Sequence, residues 1–162
     1  MPVLPRDVRG FSLLELLTAL VIVGVLTSLA APAMDRALAR MRTRAALDRF
    51  TGDLYHARIL AVRSGRAVVV QFPGSERCGG AANRYGTDHY LVLARDGSDR
   101  VLKRVALGGG GLCLEMNQSD SMRFDSRGML RGLGNRTVVA RRGGDVRDSL
   151  TVSRAGRILR RF

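Results

Sequence analysis

The sequence predicts an α+β fold in which one long N-terminal helix packs on a mostly antiparallel β-sheet. Residues 11–64 follow a helical pattern, whereas residues 67–162 hold short β-branched runs separated by Gly, Pro or Asp. Strands that follow a helix as a block favour antiparallel pairing over alternating βαβ units. The length of 162 residues suits one domain with an appendage, and a hydrophobic fraction of 46% excludes a disordered chain.

The first half of the predicted helix is apolar enough to cross a membrane. Residues 11–34 carry Glu15 as their only charge. A helix of this length measures about 36 Å, more than the ~30 Å of a hydrocarbon core. A secretory signal peptide is the alternative, but the run exceeds a typical h-region, holds a carboxylate near its start and continues beyond Pro32. We therefore expect one membrane-spanning helix.

Residues 35–66 predict an amphipathic continuation of this helix. One stripe at steps of three and four is expected to lie on a globular core: Leu47, Phe50, Leu54, Ala57 and Ala61. A second stripe at spacing four is basic: Arg36, Arg40 and Arg44. Such a stripe is most often a solvated face. Its place just after the apolar run also suits contact with anionic head groups or with a neighbouring protein.

Short β-branched or alternating runs then predict the strands of the sheet. They cover residues 67–72, 89–94, 101–107, 122–124, 137–140 and 149–152, with a further short run at 158–159. Turn residues bound them, for example Pro73-Gly74 and Asp96-Gly97. No internal repeat is visible, so the strands form a single β-rich part.

The net charge of +13 is concentrated outside the middle of the chain. Residues 123–162 hold eleven Arg and three Asp, a net of +8, while residues 67–122 are neutral. Clustered cations are the footprint expected for a phosphate backbone. The candidates for contact with double-stranded DNA are Arg154, Arg157, Arg160 and Arg161. Phe162 is the only aromatic residue next to these arginines, so stacking on bases is not indicated and sequence-independent binding is expected. The alternative is a generic basic surface.

Residues 9–15, RGFSLLE, resemble the cleavage and methylation signal of type IV prepilins and type II secretion pseudopilins. The resemblance implies that residues 1–10 form a leader peptide. It further implies that a prepilin peptidase cuts between Gly10 and Phe11 and methylates the new N-terminus of Phe11. Glu15 and Pro32 then stand where this family carries a glutamate and, in many pilins, a helix-kinking proline.

Physical chemistry supports these assembly roles for Glu15 and Pro32. A carboxylate inside an apolar helix costs about 3 kcal/mol unless it is paired. The apolar run holds no basic residue, so the expected partner is the amine released by cleavage, on the same or a neighbouring chain. The alternative is a carboxylate that reaches the interface. Pro32 removes a backbone hydrogen bond and is expected to kink or locally melt the helix, unless the helix ends there.

Three later segments resemble signatures of the GspH/FimT group, namely residues 57–68, 124–128 and 152–158. The group comprises minor pilins and minor pseudopilins found at or near filament tips. The resemblance implies an inner-membrane, single-pass protein whose globular domain is periplasmic before it enters a filament. The implied partners are other pilins or pseudopilins, the prepilin peptidase and the inner membrane. The expected domains are 1–10 (leader), 11–34 (transmembrane and filament-core helix), 35–66 (amphipathic helix) and 67–162 (β-rich globular domain).

Cys78 and Cys113 are the two cysteines of the chain. In an oxidising periplasm they are expected to form a disulfide, which would stabilise the fold by about 3–4 kcal/mol in the chain-entropy treatment. The alternative is two thiols that never meet.

No motif in the sequence predicts an enzyme, a cofactor or a metal site. The glycines at 108–111 lack the Lys-Ser/Thr of a phosphate loop, and His56 and His89 lack spaced ligands. A membrane-anchored periplasmic enzyme is a remote alternative.

Two functions remain. The first is a minor pilin of a type IV pilus that promotes assembly and binds DNA non-specifically during natural transformation. The second is a GspH-like minor pseudopilin of a type II secretion system. Members of the group implicated in DNA uptake carry Gly-Arg-x-Arg near the C-terminus. Here residues 156–160, GRILR, contain one extra residue in the gap, which would place Arg157 and Arg160 on opposite faces of a strand.

Overall fold

The computed structural model describes residues 12–73, 84–95, 99–108, 111–132, 134–142 and 145–161. The chain divides into two compact units, Met1–Ala39 and Arg40–Phe162, which are treated separately below. A single helix, α1, spans Leu13–Ser64. It has Glu15 in its first turn and Arg63 in its last, the charge order that complements a helix dipole.

Nine strands follow α1 in the part of the chain that the structure describes. They are β1 Ala67–Gln71, β2 Arg84–Thr87, β3 His89–Arg95, β4 Asp99–Ala106, β5 Leu112–Asn117, β6 Ser121–Phe124, β7 Arg136–Arg142, β8 Asp145–Val152 and β9 Ile158–Arg161. They form one sheet in the order β4-β3-β1-β6 and another in the order β2-β5-β7-β8-β9. Every pairing is antiparallel, so the predicted α+β fold is confirmed, with two sheets where the sequence suggested one.

Two of these strands, β2 and β5, are absent from the sequence-based prediction. β2 reads RYGT, and its glycine and short length give no alternation to detect. β5 reads LCLEMN and is buried along nearly its whole length, including Glu115. A charged residue in a run without alternation does not look like a strand. β5 is nevertheless central, because it pairs with both β2 and β7.

One hydrophobic core joins α1 to both sheets within the unit Arg40–Phe162. The predicted helix stripe is fully buried in it: Leu47, Phe50, Leu54, Ala57 and Ala61. The Phe50 ring lies 5.7 Å from that of Phe72 and meets Tyr90 edge to face at 4.9 Å between centroids. Burying such side chains contributes about 1.5–3 kcal/mol each, so this stripe fixes the helix on the sheets.

Hydrogen bonds and ion pairs of two buried carboxylates lie at the edge of this core. The hydroxyl of Tyr90 donates to Asp53 at 2.6 Å, and the Lys103 ammonium binds the other oxygen of the same carboxylate at 2.6 Å. Burial, with the adjacent Asp53 carboxylate, strongly raises the pKa of Tyr90. Arg141 donates to the buried Glu115 at 2.6 Å. These pairs satisfy buried charges, so they stabilise register without offering reactive groups.

Candidate assembly segment and basic surface

The assembly segment is the apolar part of α1, residues 13–34. Its large hydrophobic side chains are all more than half exposed, and none of its most apolar stretch is buried. This stretch is long and apolar enough to cross a membrane. A continuous apolar helix surface needs a bilayer or neighbouring apolar helices around it, because water would leave it uncompensated.

Glu15 lies exposed in the first turn of the assembly segment. The described residues provide no ion pair and no hydrogen bond to its carboxylate. Thr18 instead donates to the Glu15 backbone carbonyl at 2.9 Å. The hydroxyls of Thr27 and Ser28 likewise each donate to a backbone carbonyl one turn earlier in the helix. The hydroxyls of the segment are therefore satisfied locally, whereas the Glu15 carboxylate requires a partner.

Pro32 lies inside α1, and the helix continues on both sides of it. Since Pro32 has no N–H, the carbonyl of Ser28 loses its usual donor. Because α1 continues to Ser64, the alternative that the helix ends at Pro32 is excluded. Gly10 and Phe11, the two processing residues, lie outside the described residues.

The basic surface is built on two turns of the same design. In the first turn, residues 125–128, the Asp125 carboxylate accepts the N–H groups of Met129 and Arg127, each at 2.9 Å, and these bonds lower its pKa. Gly128 donates to the Asp125 carbonyl at 2.9 Å. Gly128 has φ +73°, a conformation that side chains disfavour.

The second turn, residues 153–156, repeats this arrangement between β8 and β9. Gly156 donates to the Ser153 carbonyl at 2.9 Å and also has φ +73°. The Ser153 hydroxyl accepts the N–H of Arg157 at 3.1 Å. A short polar side chain at the first position and glycine at the fourth explain why both sequences turn where they do.

The two turns pack against each other and against α1. The N–H of Leu130 donates to the Arg154 carbonyl at 2.9 Å, and the Arg58 guanidinium donates to the Gly156 carbonyl at 3.1 Å. A Cβ at Gly156 would overlap the Gly128 carbonyl oxygen. We call this junction the twin turns. It links the β6 end of one sheet to the β8–β9 end of the other through Arg58.

The twin turns carry three exposed arginines, Arg127, Arg154 and Arg157, which we call the twin-turn arginines. Within the described part of the chain none of the three forms an ion pair. Arg131, also exposed, follows Leu130 and acts with Arg127 to lower the pKa of Asp125. The turns thus hold three exposed arginines that form no ion pair among the described residues, with the Asp125 carboxylate close to Arg127.

The structure places the four C-terminal candidates differently from one another. Arg154 and Arg157 lie in and next to the second turn, and because β9 begins at Ile158, Arg157 is not on the strand. Arg160 binds Asp148 through Nε at 3.1 Å and Nη2 at 2.6 Å, and also binds Asp48 of α1. The Asp148 hydrogen bonds raise the pKa of Arg160. Arg160 therefore ties β9 to β8 and α1, which makes it a poor phosphate ligand.

The structure describes only part of Arg161 and of the Cys78–Cys113 pair. Arg161 ends β9, but its side chain lies outside the described residues, as does the whole of Cys78. Cys113 lies on β5 and is 8% exposed. The disulfide between the two cysteines stays a prediction.

Arg127 was missed by sequence reasoning, which looked only at the C-terminal cluster. The available signal was the likeness of residues 125–128, DSRG, to residues 153–156, SRAG. Both contain a capping side chain followed three residues later by glycine. What no local pattern reveals is that the two turns, far apart in sequence, pack together.

The histidines have ordinary structural surroundings. His56 is exposed on α1, and the Nδ1 of His89 lies 2.6 Å from the exposed Asp88. In the residues that the structure describes, no group of three or more His, Cys, Asp or Glu side chains is arranged to hold a metal.

An exposed apolar N-terminal helix, continued by a helix that packs on antiparallel sheets, defines a type IV pilin-like subunit. The family described as type II transport protein GspH matches residues 46–156, and the prokaryotic N-terminal methylation motif matches residues 5–31. The chain belongs to the GspH family. It is accordingly a minor pilin or minor pseudopilin, a kind of protein that associates with other pilins and is processed by a prepilin peptidase.

Solved structures agree with this fold. A crystal structure of the type IV minor pilin FimU from Pseudomonas aeruginosa strain PAO1 matches with a TM-score of 0.61 and 21% identity, covering 76% of this chain and 90% of FimU. A second crystal form of FimU gives a TM-score of 0.56 and 22% identity, with 74% and 92% covered. No curated protein sequence matches this chain.

Proposed function

We propose that this protein is a minor pilin of a type IV pilus that is cut between Gly10 and Phe11 and enters the filament at or near its tip. Before assembly the assembly segment spans the inner membrane and the globular part faces the periplasm. The unpaired Glu15 carboxylate then binds the N-terminal amine of a Phe11, which compensates the charge inside the apolar filament core. The large apolar side chains of residues 13–34, each more than half exposed, support this part of the proposal.

We further propose that the twin-turn arginines bind double-stranded DNA without sequence preference. The observation that carries this function is that Arg127, Arg154 and Arg157 are exposed, unpaired among the described residues and held by two interlocked turns. Arginine forks bind phosphate oxygens well, and a rigid support lowers the entropy lost on binding. Contacts with phosphates carry no sequence information, so binding through these arginines should not depend on the DNA sequence.

Salt dependence provides the test of DNA binding. Binding of the protein to duplexes of unrelated sequence should be weak, similar for all of them and steeply reduced by salt, with a log–log slope of about −0.9 per phosphate neutralised. Replacing the twin-turn arginines together with Gln should flatten that slope by about two to three units. Fluorescence anisotropy of labelled duplexes over a salt series measures this slope.

The matched control removes the same charge from another surface. Arg36, Arg40 and Arg44 are exposed on α1, and their replacement by Gln should leave the slope within about one unit of the parent. Equal loss in both variants would mean that the net charge attracts DNA diffusely. Absence of binding even at low salt would remove DNA from the proposed function and leave the filament role standing.

The alternative function is a minor pseudopilin of a type II secretion system, which the description of the matching family favours. Deleting the gene separates the two. Loss of surface pili and DNA uptake with secretion intact supports the pilus role. Loss of protein secretion with pili intact supports the pseudopilin role.

A further inference from the structure

A second candidate site lies where α1 crosses the ends of three strands, within the unit Arg40–Phe162. It is a cleft of about 350 Å³ lined by residues of α1, the end of β4 and its following residues, β5 and β7. This volume is at the lower end of what small-ligand pockets have. We call it the arginine cleft, because three of its lining residues are Arg42, Arg49 and Arg142.

The three arginines come from two elements. Arg42 and Arg49 are seven residues apart on α1, which places them on one helix face about 10 Å apart along the axis. Arg142 ends β7 and pairs across the ladder with Leu112, another residue of the cleft. Three arginines that line one cleft repel each other unless an anion lies between them.

The nearby acidic side chains that the structure describes do not neutralise these arginines. Asp48 of α1 binds Arg160, and the Asp53 carboxylate is bound by Tyr90 and Lys103. Asp88 pairs with His89. Among the described residues none forms an ion pair with Arg42, Arg49 or Arg142. Among the described residues, the cleft is thus a cationic site without a neutralising carboxylate.

The rest of the lining is almost entirely aliphatic: Ala45, Ala46, Ala106, Leu107 and Leu112. A ligand that fits therefore combines an anionic group with a small apolar group beside it. An acidic side chain next to an aliphatic one in a peptide has this chemistry, and arginine forks bind carboxylates with two parallel hydrogen bonds. A DNA backbone offers the carbons of deoxyribose but no aliphatic side chain that could cover the apolar surface.

We propose that the arginine cleft binds an acidic peptide segment of a different subunit of the same filament. A carboxylate lies between the three guanidinium groups, and a neighbouring aliphatic side chain covers Ala106 and Leu107. A second copy of this chain is a poor partner, since each carries a net charge of +13. The proposal rests on the filament role of the protein and is independent of DNA binding.

The test uses the full chain in detergent micelles and a rhodamine-labelled peptide of alternating leucine and glutamate. Its binding is followed by fluorescence anisotropy, with binding to empty micelles subtracted. Replacing Arg42, Arg49 and Arg142 with Gln should weaken binding at least about tenfold, because charge-assisted hydrogen bonds are lost. The same peptide with glutamine in place of glutamate should bind the parent protein as weakly as the original peptide binds the Gln variant.

Two variants control this experiment. Gln at Arg36, Arg44 and Arg63 removes equal charge from exposed helix positions and should change binding less than about twofold. Lys at the three cleft positions keeps the charge but not the fork, and its intermediate affinity would show that the geometry matters. Thermal unfolding of each variant reports whether it is folded.

Three results would overturn the proposal. If both Gln variants weaken peptide binding equally, the positive charge attracts the peptide diffusely and the cleft is not its binding site. If the glutamine peptide binds as tightly as the glutamate peptide, the cleft binds apolar side chains and does not recognise an anion. If vesicles containing phosphatidylglycerol or a short DNA duplex bind through Arg42 while the acidic peptide does not, the cleft serves a lipid or DNA.

Discussion

Replacing Gly156 with Ala should lower the free energy of unfolding by about 2–5 kcal/mol. Two effects add. The residue has φ +73°, which costs a side chain about 1–2 kcal/mol, and the new Cβ would overlap the Gly128 carbonyl oxygen. That oxygen belongs to the backbone of the other turn and cannot rotate away, so overpacking adds about 1–3 kcal/mol. Urea unfolding followed by circular dichroism measures the loss.

Gly65 provides the matched control for this substitution. It has φ +65°, but a Cβ there would meet nothing within 4 Å. Gly65→Ala should therefore cost only the conformational part, about 1–2 kcal/mol. If both variants lose the same stability, the twin turns do not pack as tightly as the structure shows.

Replacing Glu15 with Ala should allow membrane insertion but remove most incorporation into filaments. Insertion becomes easier, because the apolar segment loses its charge. Assembly becomes harder, because the N-terminal amine of a Phe11 is left buried without a partner, at a cost of about 3–5 kcal/mol. Comparing the amount of the protein in membranes with that in sheared filaments measures both.

Thr18→Ala is the control within the same helix surface. Its hydroxyl bonds only to the Glu15 backbone carbonyl at 2.9 Å, so its loss should leave assembly near that of the parent. If Glu15→Ala enters filaments as well as the parent does, the proposed pairing of Glu15 is wrong.

The helix and most strands could be predicted because their signals are local. The core stripe of α1 repeats at steps of three and four. β1 is a β-branched run and β3 is an apolar run, and turn residues follow both. β5 escaped prediction because its burial on both faces removes alternation. Splitting of the strands into two sheets depends on long-range pairing that no local pattern encodes.

The candidate site shows the same limit. Excess positive charge in residues 123–162 is visible in the sequence, and it led to Arg154 and Arg157. Which arginines are unneutralised is set by tertiary contacts. Arg160 is held by Asp148 and by Asp48, which is 112 residues away in sequence. Arg127 joins the surface only because its turn packs on the second one.

The central claim, that this chain is a processed pilin-like filament subunit, is tested most directly by the intact mass of the mature protein. Purified from the membranes of its host, it should begin at Phe11 and carry one additional methyl group. Gly10→Val should leave the chain uncut, because we expect the peptidase to need a small side chain before the cut. A mature chain that begins beyond the apolar segment, or normal cutting of the Gly10→Val variant, would contradict the claim.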